Sequence, residues 1–159
     1  MIVAITGTPG TGKSSLAKLL KVKGFLVLDD KFFYEKRFPS LVIKEDKELQ
    51  TKIIDTDKFN EIIKKLKNFK GLLFLDSHMS HLFDVDFVIV LERDLKELKK
   101  EYEKRRYNEV KIRDNLEAEA FKICRLESEE IHGKNKVKTF NNYWKAYNYI
   151  LKKFGNNKL

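Results

Sequence analysis

Short, mostly unbroken apolar runs occur at 2–5, 25–28, 71–76 and 87–91, a short fifth strand is expected at 137–140, and apolar residues recur at helical spacing between them. Such runs are what parallel strands covered on both faces require. Leu16, Leu19 and Leu20 share one helical face, and Gly24 ends that helix. Thr56 is the expected N-cap of a second helix bearing Phe59, Ile62, Ile63 and Leu66. Asp94 caps a third, with Leu95, Leu98 and Tyr102 on its apolar face. Asp114 with Glu117 makes a capping-box start to a fourth, with Leu116, Ala120, Phe121 and Cys124 inward. Asn142 caps the last, which carries Tyr143, Tyr147, Ile150, Leu151 and Phe154. Alternating strands and helices with no repeat or linker predict one layered α/β domain over 1–159.

Residues 30–55 break this rhythm. Phe32, Phe33, Tyr34 and Phe38 crowd together, Pro39 interrupts any helix, and charges are dense through Glu48. Two readings stand side by side: a cover over a second substrate, or a surface excursion whose aromatics plug the core.

Composition narrows the classes. Hydrophobic residues make up 42% and prolines number two, which excludes a disordered chain. Cys124 has no intramolecular disulfide partner and reads as a small core side chain rather than a nucleophile. No stretch reaches transmembrane length and no targeting segment precedes the first strand, so a cytoplasmic protein with no membrane partner is expected. The net charge of +9 suits nucleotides, RNA or plain solubility.

The chemistry concentrates where the first strand turns into the first helix. Gly7, Gly12, Lys13 and Ser14 satisfy G-x-x-x-x-G-K-[ST]. Glycines let successive backbone N–H groups converge, and the helix N-terminus adds its positive end, so the turn predicts a phosphate-binding loop. Lys13 is placed to reach the β- and γ-phosphates, Ser14 to ligate Mg²⁺, and Ser15 to bond near the α-phosphate. Asp76 ends the third apolar run, where a carboxylate holds Mg²⁺ or its water. His78 leaves the same strand end on the same side, either to position a water or phosphate or as a structural hydrogen bonder. His81 and His132 have no comparable placement. The basic segment 104–113 reads equally as a flap bringing guanidinium groups onto a phosphoryl group or as a solvated helix connection.

Three stretches together resemble the adenylate kinase isoenzyme six family: Gly-Thr-Pro-Gly-Thr-Gly-Lys-Ser at 7–14, Asp-Ser-His at 76–78, and Arg-Arg-Tyr-Asn-Glu-Val-Lys-Ile-Arg-Asp-Asn at 105–115. The resemblance implies a P-loop NTPase fold: a five-stranded parallel sheet flanked by helices, a monophosphate-binding segment near 30–53 and a short lid near 104–114. It implies phosphoryl transfer from Mg–ATP to a nucleoside monophosphate such as AMP, with possible ATPase activity. It also implies partnership with a ribosomal protein of the small-subunit platform and with rRNA during maturation of the small (pre-30S) subunit. By position, Gly10, Thr11, Gly12, Lys13, Ser14 and Ser15 would bind ATP, Arg105 would be the lid arginine, and Asp76 with His78 a modified Walker B pair. Lys13, Asp76, His78 and Arg105 would be catalytic, and Ser14 and Asp76 would hold the metal. Glu101 stands where the family usually has an arginine, Arg106 where it has a glycine, and Arg37 is the only arginine within 30–53. An ATPase switch with little kinase activity is the alternative these departures leave.

Overall fold

Each strand of the central sheet alternates its side chains between two buried faces, and this explains the unbroken apolar runs. The computed structural model describes residues 1–156. Its strands and helices are β1 (Ile2–Thr6), α1 (Lys13–Val22), β2 (Leu26–Asp29), β3 (Val42–Asp46), β4 (Thr51–Ile54), α2 (Thr56–Leu66), β5 (Leu73–Asp76), β6 (Phe87–Leu91), α3 (Leu95–Lys104), α4 (Glu109–Ala120), α5 (Ile123–His132), β7 (Val137–Phe140) and α6 (Tyr143–Phe154). Five strands form one sheet in the order β2-β5-β1-β6-β7, every pair parallel. Ile2 and Ala4 of β1 face one core with Leu73, Leu75, Val88 and Val90, closed by Phe59 and Ile63 of α2. Val3 and Ile5 face the other, closed by Leu16 and Leu20 of α1 and Ala146, Ile150 and Phe154 of α6. The predicted α/β sheet flanked by helices is what the chain forms.

The irregular stretch 30–55 holds more order than its sequence predicts. A π-helical turn, Phe32–Arg37, and a short 3-10 turn, Pro39–Leu41, lead into the antiparallel β3–β4 hairpin. The hairpin is two-stranded and mostly solvated, so its residues carry no apolar alternation for sequence reading to detect. The aromatics do plug the core: Phe33 lies 4.7 Å, ring to ring, from Phe59, which lies 4.4 Å from Phe83. The hairpin beyond them remains free to serve as a cover.

Other boundaries move for local reasons. Asp55, not Thr56, caps α2, its carboxylate accepting from the Lys58 N–H at 3.0 Å. The helix expected to begin at Asp114 begins at Glu109, because Asn108 caps it through the Lys111 N–H at 2.8 Å. Most of 104–114 is therefore helix, and the connection between α3 and α4 is the turn at 105–108. That helix also ends early. Lys122 adopts a left-handed conformation (φ +56°) and re-aims the chain into α5, which leaves Phe121 68% exposed rather than inward.

Candidate active site

The site grows from the turn between β1 and α1. Gly7 sits at φ +145°, and a Cβ there would lie 2.3 Å from the Leu91 carbonyl oxygen, so only glycine fits. Gly12, at φ +104°, caps α1 with the Tyr143 ring against it. Outside groups hold the loop in shape. Tyr102 Oη donates to the Pro9 carbonyl at 2.6 Å, Arg93 Nη1 to the Gly10 carbonyl at 2.9 Å, and Thr8 Oγ1 to Glu119 Oε2 at 2.8 Å. Thr11 Oγ1 adds a bond to the Thr8 carbonyl at 2.9 Å. The N–H groups of Gly12, Lys13, Ser14 and Ser15 donate no hydrogen bond within the protein. A fixed loop with free amides at a helix N-terminus is an anion cradle.

Lys13, Asp76, His78 and Arg105 all line one cleft of about 800 Å³ above this loop, together with Gly10, Thr11, Gly12, Ser14 and Ser15. The sheet explains the convergence: β1 and β5 are parallel neighbours, so the loop after one and the carboxylate ending the other emerge at the same edge. Lys13 Nζ donates to the Gly7 and Thr8 carbonyls at 2.8 and 2.9 Å, which leaves its third N–H for a ligand. Arg105, at the end of α3, is paired with Glu101 at 2.8 Å. Glu101, where the resemblance implies an arginine, is thus a carboxylate that holds Arg105. The cleft is also lined by Arg93, Glu97, Asn141, Asn142 and Tyr143.

Burial shapes the charges here. It lowers the Lys13 pKa against the pull of Asp76, and pushes the Asp76 carboxyl up to about 6 against the pull of Lys13. His78 is exposed and lines the cleft, yet desolvation and then the Lys13 charge hold it below the usual histidine range. It is therefore neutral at pH 7. The Cys124 thiol is pushed up to about 11 by burial, consistent with an inert packing role.

Ser14 and Asp76 present hard oxygens to the same cleft, and the Asp76 carboxylate makes no hydrogen bond among the described residues. No group of three or more His, Cys, Asp or Glu able to hold a metal occurs among the described residues. A sparse oxygen set of this kind fits Mg²⁺, which takes one or two protein oxygens and completes its shell with phosphates and water. A pH effect follows. The folded protein holds the Asp76 proton more tightly than the unfolded chain, so this group's contribution to stability falls as pH rises through about 4 to 6 and stays lost above. Discounted for its partial exposure, the loss is about 1–3 kcal/mol. Urea denaturation of the metal-free protein at pH 4.5 and 7 should show Asp76→Asn gaining stability relative to the parent at the higher pH. An unchanged difference between the two proteins would count against it.

A second cavity, of about 460 Å³, adjoins the first through Asp30 and His78 and is walled by Tyr34 and by the β3–β4 hairpin. The hairpin tip is tied to the turn before α4. Asn108 donates through its N–H to Gln50 Oε1 at 3.1 Å and through Nδ2 to the Glu48 carbonyl at 2.6 Å, and Lys111 Nζ reaches the Gln50 carbonyl at 2.6 Å. The segments near 30–53 and 104–114 thus meet across the cleft. Arg37 is exposed and does not line this cavity.

Sequence reasoning did not single out Arg93, Glu119, Asp30, Tyr34 or Tyr143 as site residues. Glu119, 3% exposed, accepts from Thr8 and from the Arg93 N–H at 2.8 Å, tying α4 to the phosphate loop. Its only sequence signal was a charge within an expected apolar face. Glu119→Ala should cost about 2–3 kcal/mol, since one buried and one part-buried donor lose their acceptor. Chemical denaturation checks this, and a change under about 0.5 kcal/mol would overturn it. His81, also buried, meets Thr6 Oγ1 at 2.6 Å and Glu127 at 2.8 Å, while Thr6 donates to the His78 carbonyl at 2.9 Å. With His132 Nε2 at 2.7 Å from the His81 carbonyl, both histidines brace the turn that carries His78.

Known proteins agree with this architecture. A sequence profile described as an AAA domain matches residues 3–122. Proteins bearing the name "Putative adenylate kinase" are similar over most of the chain. That of Methanocaldococcus jannaschii is 34% identical over 129 residues, covering 80% of this chain and 72% of the relative. That of Pyrococcus furiosus is 38% identical over 136 residues, covering 83% and 71%. Among solved structures, a deoxyadenosine kinase from M. mycoides with bound dATP superposes with a TM-score of 0.51 at 16% identity, covering 98% of this chain and 100% of that one. Shikimate kinase from Acinetobacter baumannii superposes with a TM-score of 0.56 at 14% identity, covering 99% and 94%. These two share the fold. With the phosphate loop, the strand-end carboxylate and the sequence relatives in agreement, the chain belongs to the P-loop family of these archaeal proteins, the adenylate kinase isoenzyme six family.

Proposed function

We propose that this protein is a Mg–ATP-dependent nucleoside monophosphate kinase, with AMP as the acceptor. The relatives' name supports this reading, and one observation carries it: two cavities meet at Asp30 and His78, beside Lys13. The larger suits a triphosphate on the Gly7–Ser15 loop, and the smaller an acceptor under the hairpin, with Lys47 and Lys52 as its cations. Lys13 and Arg105 would surround the transferring phosphoryl group and offset the charge that builds on its oxygens. Ser14 and Asp76 would hold Mg²⁺, which would supply positive charge to offset that of the phosphates. Neutral His78, at the junction, would accept or donate one hydrogen bond to align the acceptor or a water. Most of the rate gain would come from positioning.

The test is product identity. Mg–ATP incubated with AMP, CMP, GMP or UMP should yield ADP in step with loss of one monophosphate. Phosphate release indifferent to every monophosphate would overturn the reading.

The Glu101–Arg105 pair and the exposed Phe121, just past α4, with Ile123, Leu126 and Ile131 of α5 favour a second reading, an ATPase switch that engages a protein partner. The partner would be the small-subunit platform ribosomal protein, with rRNA on the basic surface. ATP turnover unaltered by that protein, with no complex formed, would remove this alternative. No helix among the described residues is long and apolar enough to cross a membrane.

A further inference from the structure

Transfer to a monophosphate leaves one feature of the acceptor cavity without a task. A monophosphate dianion arrives deprotonated and needs no base. Yet Asp30, one residue beyond the end of β2, stands at the junction of the two cavities. Its Oδ1 is sealed from solvent and has no hydrogen-bond partner. Oδ2 is not sealed in this way, and the side chain lines both cavities. A buried carboxylate with one bare oxygen is costly, so its retention beside the reacting centre calls for a reason. Its surroundings make it a base. Desolvation raises its pKa, only partly offset by the Ser77 hydroxyl, the Lys13 ammonium and the Tyr34 hydroxyl.

The cavity's charge points the same way. Its acidic residues are Asp30, Glu45 and Asp46, its basic ones Lys47 and Lys52, and no arginine lines it. Bidentate grip on an acceptor phosphate is therefore missing, and a dianion beside Asp30 meets repulsion. A neutral acceptor meets none. The volume of about 460 Å³ falls within the range of small-molecule sites and accommodates a molecule the size of a nucleoside.

We propose that this site also phosphorylates a neutral, hydroxyl-bearing acceptor of nucleoside size, with Asp30 as the general base. The Asp30 carboxylate takes the proton of the acceptor O–H. The acceptor oxygen forms the new bond to the γ-phosphorus, and the bond from that phosphorus to the β–γ bridging oxygen breaks. ADP leaves with the electron pair, and the protonated Asp30 later returns its proton to water. This activity stands independently of monophosphate transfer, since it uses the same triphosphate cradle with a different acceptor.

The experiment offers Mg–ATP with adenosine, guanosine, cytidine, uridine and their 2′-deoxy forms, and resolves the nucleotides formed, with AMP as a parallel acceptor. At least one nucleoside should be converted to its monophosphate with equimolar ADP. Asp30→Asn should lower kcat for that nucleoside by about 10²–10⁴-fold with a smaller change in KM, and Asp30→Glu should restore part of the loss. Phosphorylation of AMP with no nucleoside converted overturns the proposal. So does an equal fractional loss in Asp30→Asn for nucleoside and AMP, which would make Asp30 a structural carboxylate. Conversion of a nucleoside but not of AMP upholds it and overturns the monophosphate reading instead. Should the asparagine variant fail to fold, the wild-type product analysis alone decides.

Discussion

Lys13→Ala lowers the rate of phosphoryl transfer by about 10²–10³-fold, the usual cost of removing one positioned donor from a developing anion. Lys13 donates to the Gly7 and Thr8 carbonyls of the loop and shares the cleft with Asp76. Two of its three donors are engaged and hold the ammonium at the lip of the cradle. Burial lowers its pKa, so its charge is less hydrated than that of a surface lysine and acts more strongly on a phosphate. Alanine removes the charge but leaves the amides of Gly12 to Ser15 in place, so nucleotide binding should weaken less than turnover. Single-turnover assays alongside nucleotide titration separate the two. A variant that binds poorly yet turns over normally at saturation would contradict this role.

Gly7→Ala has the largest expected effect on stability, about 2–5 kcal/mol. The residue's φ of +145° is strained for any side chain, and the new methyl would overlap the Leu91 carbonyl oxygen at 2.3 Å and Thr11 Oγ1 at 2.8 Å. Both neighbours resist displacement. Leu91 ends β6, fully buried, and Thr11 is held by its bond to the Thr8 carbonyl. Relief requires the loop to peel away from the sheet, which also dismantles the phosphate cradle. Against a total stability of about 5–15 kcal/mol the variant should unfold at clearly lower denaturant. A midpoint within experimental error of the parent would show that the loop shifts freely.

Local signals in the sequence carried part of this structure. An apolar run such as Phe87–Leu91 can satisfy its side chains only in a strand buried on both faces, and β6 is that strand. The G-x-x-x-x-G-K-S turn needs glycines at φ values that other residues resist, and Asp94 and Asn142 cap helices through their own side chains. Those features depend on residues within a few positions of one another. The β3–β4 hairpin was illegible because its strands pair only with each other and stay solvated, leaving no apolar alternation. The early start of α4 was hidden because the competing Asp114–Glu117 pattern looked equally good locally.

The composition of the site depended on contacts between distant parts of the chain. Lys13 and Asp76 are 63 positions apart in the sequence, and only the pairing of β1 with β5 brings them to one edge. Glu119 reaches Thr8 across 111 positions, and the turn at Lys122 sets the direction of α5. No periodicity records such pairings, because each is fixed by packing among elements rather than by neighbours along the chain. The same is true of Asp30, which in the sequence is the second of two aspartates closing an apolar run. Only the folded chain leaves Oδ1 buried without a partner and sets Asp30 on the wall of both cavities. The sequence alone determined the strands of the sheet, the phosphate loop and the family. Tertiary structure decided which charges face one another, because burial and distance, which set a carboxylate's proton affinity, exist only once the chain has folded.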